Sequence, residues 1–202
     1  MKRKGQTGAV GRPRGFDADE ALDRALEVFW RKGYEGTAIS DLAAAMRINR
    51  PSIYAAFGNK EELFRKVLDR YAAGPASAVR QALEAPTARQ AVERVLMAAA
   101  DVPTRGEGPR GCLLVQGALA CGDASESVRR ELIARRADGE AELRKRLQRA
   151  KAEGDLPPGT DPAGLARYVV TVAHGMAVEA ASGASHRELL QVVETAMKAW
   201  PK

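Results

Sequence analysis

The side chains with the most chemistry to offer lie in one short stretch, Arg50-Pro51-Ser52-Ile53-Tyr54-Ala55-Ala56-Phe57. A guanidinium donates two parallel hydrogen bonds to a guanine edge, and serine or tyrosine hydroxyls bond phosphates or base edges. At helical spacing Arg50, Ser52 and Ala55 form a small, polar outer face. Ile53 and Phe57, with Ile48 before them, form an apolar inner face that can anchor it. A second set of bases lies upstream, where Lys2, Arg3, Lys4, Arg12 and Arg14 all precede the first acid, Asp17. That arm reads either as a reach toward a polyanion or as an unstructured, solubilising tail. Cys112 and Cys121 are the only thiols and His174 and His186 the only imidazoles. Cys112 follows a Gly-rich stretch at the start of a short helix, where a helix N-terminus favours the thiolate and thus an electrophile or redox sensor. The alternative is two small buried apolar residues. Nine residues of helix would set the two cysteines on opposite faces, which argues against an intrachain disulfide. His174 reads as a core or interface histidine rather than a ligand, with Glu179 on the same helix as a candidate partner. The Arg129, Arg130, Arg135 and Arg136 set reads as a solvated face.

The elements that must position these groups are helices, and the chain reads as all-α with about nine of them. Alanine occurs 38 times among 202 residues, and β-branched alternation is almost absent. Asp17 caps a first helix, with Glu20 completing a capping box, and Gly33 ends it. Thr37 caps a short second helix, Ala38 to Met46. Asn49 caps a third, with Pro51 acceptable in its first turn, and Gly58 stops it. Asn59 and Glu62 form a capping box for a fourth, expected to run to about Leu83. Pro86 and Thr87 break the chain before a fifth helix to Asp101. A loop with three glycines and two prolines spans Pro103 to Gly111. A small-residue helix, Cys112 to Cys121, follows. A long charged helix then runs from Asp123 or Ser125 to about Glu153. Asp161 and Pro162 open an eighth helix, and a Ser185–Glu188 capping box opens a ninth.

Eight of the ten aromatic residues lie in the first 71 positions, so the chain divides compositionally. We expect a flexible basic arm over 1–14, a compact aromatic-cored unit over 15–71, and an Ala/Leu/Val-rich helical body over 72–202. The net charge is +6 with a pI near 9.5, and residues 1–66 alone carry a net +4. That balance favours a polyanionic partner. No apolar run reaches the roughly 20 residues of a membrane span. The basic N-terminus is not followed by the apolar segment of a secretory signal. Two cysteines fit a reducing cytoplasm, so a cytoplasmic location and no membrane partner are expected. No metal-ligand spacing, phosphate loop or nucleophile triad is legible, so no metal, no cofactor and no enzymatic activity are expected.

Helix, three-residue break, helix over Ala38 to Phe57 is the geometry of a helix-turn-helix, whose second helix enters the major groove. Spacing alone also describes many ordinary helix pairs. The run Gly33-Tyr34-Glu35-Gly36-Thr37-Ala38-Ile39-Ser40-Asp41-Leu42-Ala43, followed by Ser52-Ile53-Tyr54-Ala55-Ala56-Phe57-Gly58-Asn59-Lys60-Glu61-Glu62-Leu63-Phe64, is more specific. It resembles the DNA-binding domain of the TetR family of bacterial transcriptional repressors, over about residues 15 to 71. Gly111-Cys112-Leu113-Leu114 looks like one branch of that family.

The resemblance implies a three-helix helix-turn-helix domain, joined by a fourth helix to a larger helical domain for ligand binding and dimerisation. It implies a homodimer on a roughly palindromic operator in double-stranded DNA, with half-sites about one turn, 34–36 Å, apart. It also implies release by a small-molecule effector of unknown identity. Position by position, Thr37 and Tyr54 would bond phosphates, and Arg50, Pro51 and Ser52 would face base edges. Lys60 would meet a phosphate at a helix N-terminus. Arg12 and Arg14 would reach the minor groove or flanking backbone. Arg47 and Asn49 complete the expected contact set. Arg47 stands where the family often has glycine, so either the turn changes shape or Arg47 faces DNA. Ala55 and Ala56 stand where the family often carries an aromatic residue and a histidine. Arg50 and the arm are therefore expected to carry more of the affinity. An effector pocket is expected from Cys112, Val115, Gln116, Leu119, Tyr168 and Val172. A dimer interface is expected from Tyr168, His174, Ala177, Val178, Leu189, Val193, Met197 and Trp200. Competing readings are an inducer-independent architectural DNA binder, which would occupy many scattered sites, a thiol-based sensor through Cys112, and an activator. Arginine outnumbers lysine 23 to 9, which hints at a GC-rich bacterial genome.

Overall fold

The computed structural model describes residues 16–104, 108–119 and 125–201, so the arm with Arg12 and Arg14, and Cys121, lie outside the described residues. Ten α-helices occur among the described residues, and no strand is present there. In chain order they are α1 (Ala18–Lys32), α2 (Ile39–Met46), α3 (Arg50–Phe57), α4 (Lys60–Ala73) and α5 (Ser77–Ala82). There follow α6 (Ala88–Asp101), α7 (Leu113–Leu119), α8 (Glu126–Ala152), α9 (Pro162–Ala181) and α10 (His186–Lys198).

Local capping chemistry sets most boundaries. Asp17 Oδ1 accepts from the Asp19 and Glu20 amides, while the Glu20 carboxylate turns to Arg24 instead of closing a capping box. Asn59 with Glu62, and Ser185 with Glu188, form reciprocal boxes. Thr37 is not a cap. Ala38 holds that position, and the Asp41 carboxylate accepts from the Ala38 amide at 3.0 Å. The fourth helix does not reach Leu83. It stops at Gly74 and a separate α5 begins after Ala76, because Pro75 has no N–H and disfavours helical geometry at the residue before it. That division makes ten helices where nine were expected.

Two apolar clusters organise the packing. One holds α1 to α4, including Phe29, Leu42, Ile53, Phe64 and Tyr71. Its rings pack edge-on, Phe29 on Phe64 and Trp30 on Tyr71, both at 4.9 Å between centroids. The other joins α5, α6, α9, α10 and the second half of α8. The first cluster is not closed by residues before Tyr71. Leu113 and Ala118 of α7 and Val128 and Leu132 of α8 complete it. Polar ties cross the same seam. Trp30 Nε1 donates to the Gly111 carbonyl at 3.2 Å, and Asp69 pairs with Arg135 at 2.8 Å. At the other end of α8, Arg146 is 6% exposed and donates to the carbonyls of Leu83, Ala85 and Pro86. It satisfies the backbone where the chain turns between α5 and α6.

Candidate nucleic-acid interface and internal cavity

The pair α2–α3 is anchored from below and open above. Leu42 and Met46 of α2, and Ile53 and Phe57 of α3, are buried in the first cluster. The turn between them places Arg47 in the left-handed region, φ 59° and ψ 38°. It is the one non-glycine residue with positive φ among the described residues. The turn therefore keeps the shape that glycine would give it, and the arginine bears the strain of about 1 kcal/mol or more. The Arg47 amide donates to Ala44 O at 3.3 Å and the Ile48 amide to Ala43 O at 3.2 Å, closing α2. Asn49 then caps α3, its Oδ1 accepting from the Ser52 amide at 2.9 Å. At the far end Lys66 Nζ donates to Phe57 O at 3.0 Å.

On this scaffold Arg47, Asn49, Arg50, Pro51 and Tyr54 are exposed, Tyr54 by 49%, and Ser52 is half-buried. Arg47 and Arg50 have no hydrogen-bond or ion-pair partner among the described side chains, and α3 contains no acidic residue. Two unneutralised guanidiniums thus flank a small, polar helix start. Lys60, first residue of α4, sits with Nζ 4.4 Å from the centre of the Tyr34 ring. That cation–π contact fixes where its charge stands. Thr37 is placed otherwise than expected. It is 1% exposed, and its hydroxyl donates to Gly33 O at 2.6 Å, so it holds the α1–α2 connection and presents no hydroxyl to a phosphate. Beside it, the Ala38 amide and then Lys32 (3.0 Å) hold the Asp41 carboxyl below its ordinary range, so it stays ionised and keeps α2 started.

A cavity of about 540 Å³ lies between α4, α5, α6, α8 and α9. Leu68 and Tyr71 of α4 line it, as do Val95, Ala98 and Ala99 of α6, Leu143 of α8, and Val170, Ala173 and Ala177 of α9. Cys112 is at its edge. The Tyr71 hydroxyl donates to Cys112 Sγ at 3.4 Å. Burial, then the neighbouring Cys112, push that hydroxyl well above its ordinary range, so it remains a donor. Of the expected pocket residues only Cys112 lines this cavity. Val115 is buried elsewhere, Gln116 is half-buried beside Gly111, and the Leu119 side chain lies outside the described residues. Tyr168 and Val172 face the opposite way, into a shallow outer groove with Gln191, Val192 and Thr195. The reason is helical phase. On α9 the inward positions are Val169, Val170, Ala173 and Ala177, and residues two before or after them point outward.

The same phase corrects the expected interface. Leu189, Val193 and Met197 of α10 and Ala177 of α9 are already buried within the single chain, His174 lines the cavity, and Trp200 packs on the second cluster. Tyr168 and Val178 stand exposed, and so does Val192, which the sequence reading missed. Burial first, then the Arg136 charge, lower the His174 pKa, with Glu140 opposing. Glu140 rather than Glu179 is thus the carboxylate that His174 senses. The Arg129–Arg136 run is not a uniform solvated face either. Arg135 bridges Glu131 and Asp69, and Arg136 lines the cavity. The sequence signal for the cavity was the small-residue runs of α6 and α9. They leave space that the long α8 does not fill.

Comparison with known proteins gives a consistent set of similarities. Residues 21–67 match the family model described as "Bacterial regulatory proteins, tetR family", and residues 88–197 match "Tetracyclin repressor-like, C-terminal domain". The HTH-type transcriptional repressor ComR of Escherichia coli (strain K12) is 36% identical over 194 residues, covering 95% of this chain and 92% of its own. A solved structure of the TetR family transcriptional regulator CifR, a cysteine mutant complexed with 26bp double-strand operator DNA, is 44% identical. It covers 94% of this chain and 100% of its own, with a TM-score of 0.90. A TetR transcriptional regulator from Rhodococcus sp. RHA1 is 43% identical over 90% of this chain and 98% of its own, with a TM-score of 0.63.

Proposed function

This chain belongs to the TetR family of bacterial regulatory proteins, and from that premise we propose that it is a homodimeric, ligand-released repressor of transcription acting in the cytoplasm. The observation that carries the reading is α3. It is a helix with no carboxylate, capped by Asn49 and pinned by Ile53 and Phe57, that holds out Arg50, Ser52 and Tyr54. Such a helix suits the major groove, where Arg50 can take a guanine edge and Ser52 and Tyr54 a base edge or phosphate. Arg47 and Lys60 would add phosphate contacts on either side, and Arg12 and Arg14 would extend them along the backbone. The exposed apolar side chains Tyr168, Val178 and Val192 of α9 and α10 support pairing of two copies through those helices.

The cavity is the proposed effector site. Leu68 and Tyr71 belong at once to its wall and to the core under the helix-turn-helix. A ligand that needs a different seat for α4 would bind one spacing of the two recognition helices better than the other, and so shift the population off the operator. A second reading rests on the Tyr71–Cys112 contact. Addition of an electrophile to Cys112 would exchange its S–H for a bulkier S–C group, press on the Tyr71 hydroxyl and crowd the cavity edge. An N-ethylmaleimide response that survives Cys112→Ser would remove that reading.

The test is a binding titration against the DNA upstream of the protein's own gene, at two salt concentrations, with Arg50→Ala alongside. We expect saturable binding that weakens with salt, and an Arg50→Ala protein that loses sequence preference while keeping non-specific affinity. Equal preference for operator and random DNA in the wild-type protein would overturn the repressor reading.

A further inference from the structure

Among the described residues, the cavity wall carries one half-buried cation without an ion-pair partner, Arg136. Six ionisable side chains other than His174 and Tyr71 border the cavity on α5 and α8: Arg80, Arg135, Arg136, Asp138, Glu140 and Glu142. Three are paired and two are exposed. Arg135 is held by Asp69 and Glu131, both at 2.8 Å. Glu140 pairs with Arg167 at 2.7 Å and Glu142 with Lys145 at 2.8 Å. Arg80 and Asp138 are exposed to solvent. Arg136 differs from all of these. It is half-buried, its Nε is shut off from solvent without a hydrogen-bond partner, and it forms no ion pair among the described residues. A buried guanidinium nitrogen left unbonded is costly, and its fixed fork suits a carboxylate. Close by is His174, whose pKa is lowered by burial and by Arg136, so that it is a neutral donor or acceptor rather than a competing cation at neutral pH. The rest of the lining is hydrocarbon: Leu68, Val95, Ala99, Leu143, Val170 and Ala173. Apart from the Tyr71 ring and the His174 imidazole, no ring lines the cavity to stack on a planar ligand.

We propose that the cavity takes a small amphipathic carboxylate, its carboxyl group held by Arg136 with His174 beside it and its aliphatic chain lying among the α4, α6 and α9 side chains. The proposal rests on the reading of this cavity as the effector site and names the ligand class for it. A carboxylate supplies the acceptor that Arg136 Nε lacks. A neutral alcohol of the same length supplies a weaker one, and an alkylammonium brings a second positive charge into the same space.

The experiment is calorimetric titration of the full-length protein with decanoate, decanol and decylammonium, below their aggregation limits. It is made with wild type, Arg136→Gln and Ala173→Phe, which fills the cavity without touching the charge. Each protein is also assayed for operator binding with and without decanoate. We expect saturable decanoate binding to wild type, about tenfold or more tighter than decanol, and none measurable for decylammonium. Arg136→Gln should bring acid and alcohol to within a factor of about two, and Ala173→Phe should abolish both. Equal wild-type affinity for acid and alcohol overturns the carboxylate class while leaving the cavity as an effector site. An acid preference that survives Arg136→Gln, or binding that survives Ala173→Phe, overturns the placement. Absence of binding by all three probes overturns both the class and the cavity reading. Decanoate bound through Arg136 with operator affinity unchanged upholds the carboxylate site and removes effector control from it.

Discussion

Arg47 holds a backbone conformation that glycine adopts without strain, at the turn between the two helices of the DNA-binding pair. Its side chain is exposed and has no acidic partner among the described residues. Arg47→Gly should therefore separate two effects. Stability should rise by up to about 1 kcal/mol, read by urea denaturation, because the left-handed strain disappears. Operator affinity should fall, and the slope of its logarithm against that of salt should drop by about one, if the guanidinium meets a phosphate. An unchanged slope would mean that Arg47 serves the turn alone. His174 yields a pH prediction. Burial, then Arg136, lower its folded-state pKa below the ordinary 6.5. Above pH 6.5 it is neutral folded and unfolded, and contributes no pH dependence. As pH falls below 6.5 the unfolded chain takes up the proton first, so stability declines until the lowered folded pKa is passed. His174→Gln should flatten the fall in melting temperature between neutral pH and pH 5 relative to wild type, and thermal denaturation across that range checks it.

Most helices were legible because their ends are written in short-range chemistry. Asn49 before Pro51, Asn59 with Glu62, Asp161 before Pro162, and Ser185 with Glu188 each satisfy amides within three residues, and each fell where expected. The exposed face of α3 was legible for a similar reason, since Ile53 and Phe57 fix which side turns inward. The failures have physical causes of their own. The apolar period of α4 continues past its end, and it is Pro75 that divides it from α5. The type of Thr37 suits a cap, but its hydroxyl bonds the Gly33 carbonyl and the Asp41 carboxylate bonds the Ala38 amide instead. The cavity and the outer faces of α9 and α10 depend on which of several apolar stripes meets a neighbour, and α9 is apolar on more than one side. Periodicity alone does not choose among them. Arg146 was invisible because nothing local marks an arginine destined to bond three carbonyls some sixty residues away. Removing it tests the α5–α6 connection. Arg146→Met should cost about 3 kcal/mol in chemical denaturation, since it strips charged hydrogen bonds from buried carbonyls. A loss no larger than that of Arg149→Met, an exposed neighbour on α8, would show that the clamp contributes little.

At the scale of the whole molecule, α8 runs through both apolar clusters, donating Val128 and Leu132 to one and Leu143 and Leu147 to the other. The compositional division at about residue 71 is real in the sequence, yet the hydrophobic contacts disregard it. Urea unfolding should accordingly be one cooperative transition. Trp30 fluorescence, read in a Trp200→Phe background, and far-ultraviolet circular dichroism should share a midpoint. Separated midpoints would mean that the DNA-binding unit melts independently of the body. The double membership of Leu68 and Tyr71, in the α1–α4 core and in the cavity wall, bears also on how such a protein can diverge. A substitution at either position alters ligand choice and the seat of the operator-reading helices together, so few variants there would keep both. Val79, Ala99, Ala173 and Val170 border the cavity without belonging to that core. Descendants that acquire a new inducer while keeping an old operator would draw their changes from positions of that kind, and the two traits would be inherited as separable modules except at the residues, Leu68 and Tyr71 among them, that join wall to core.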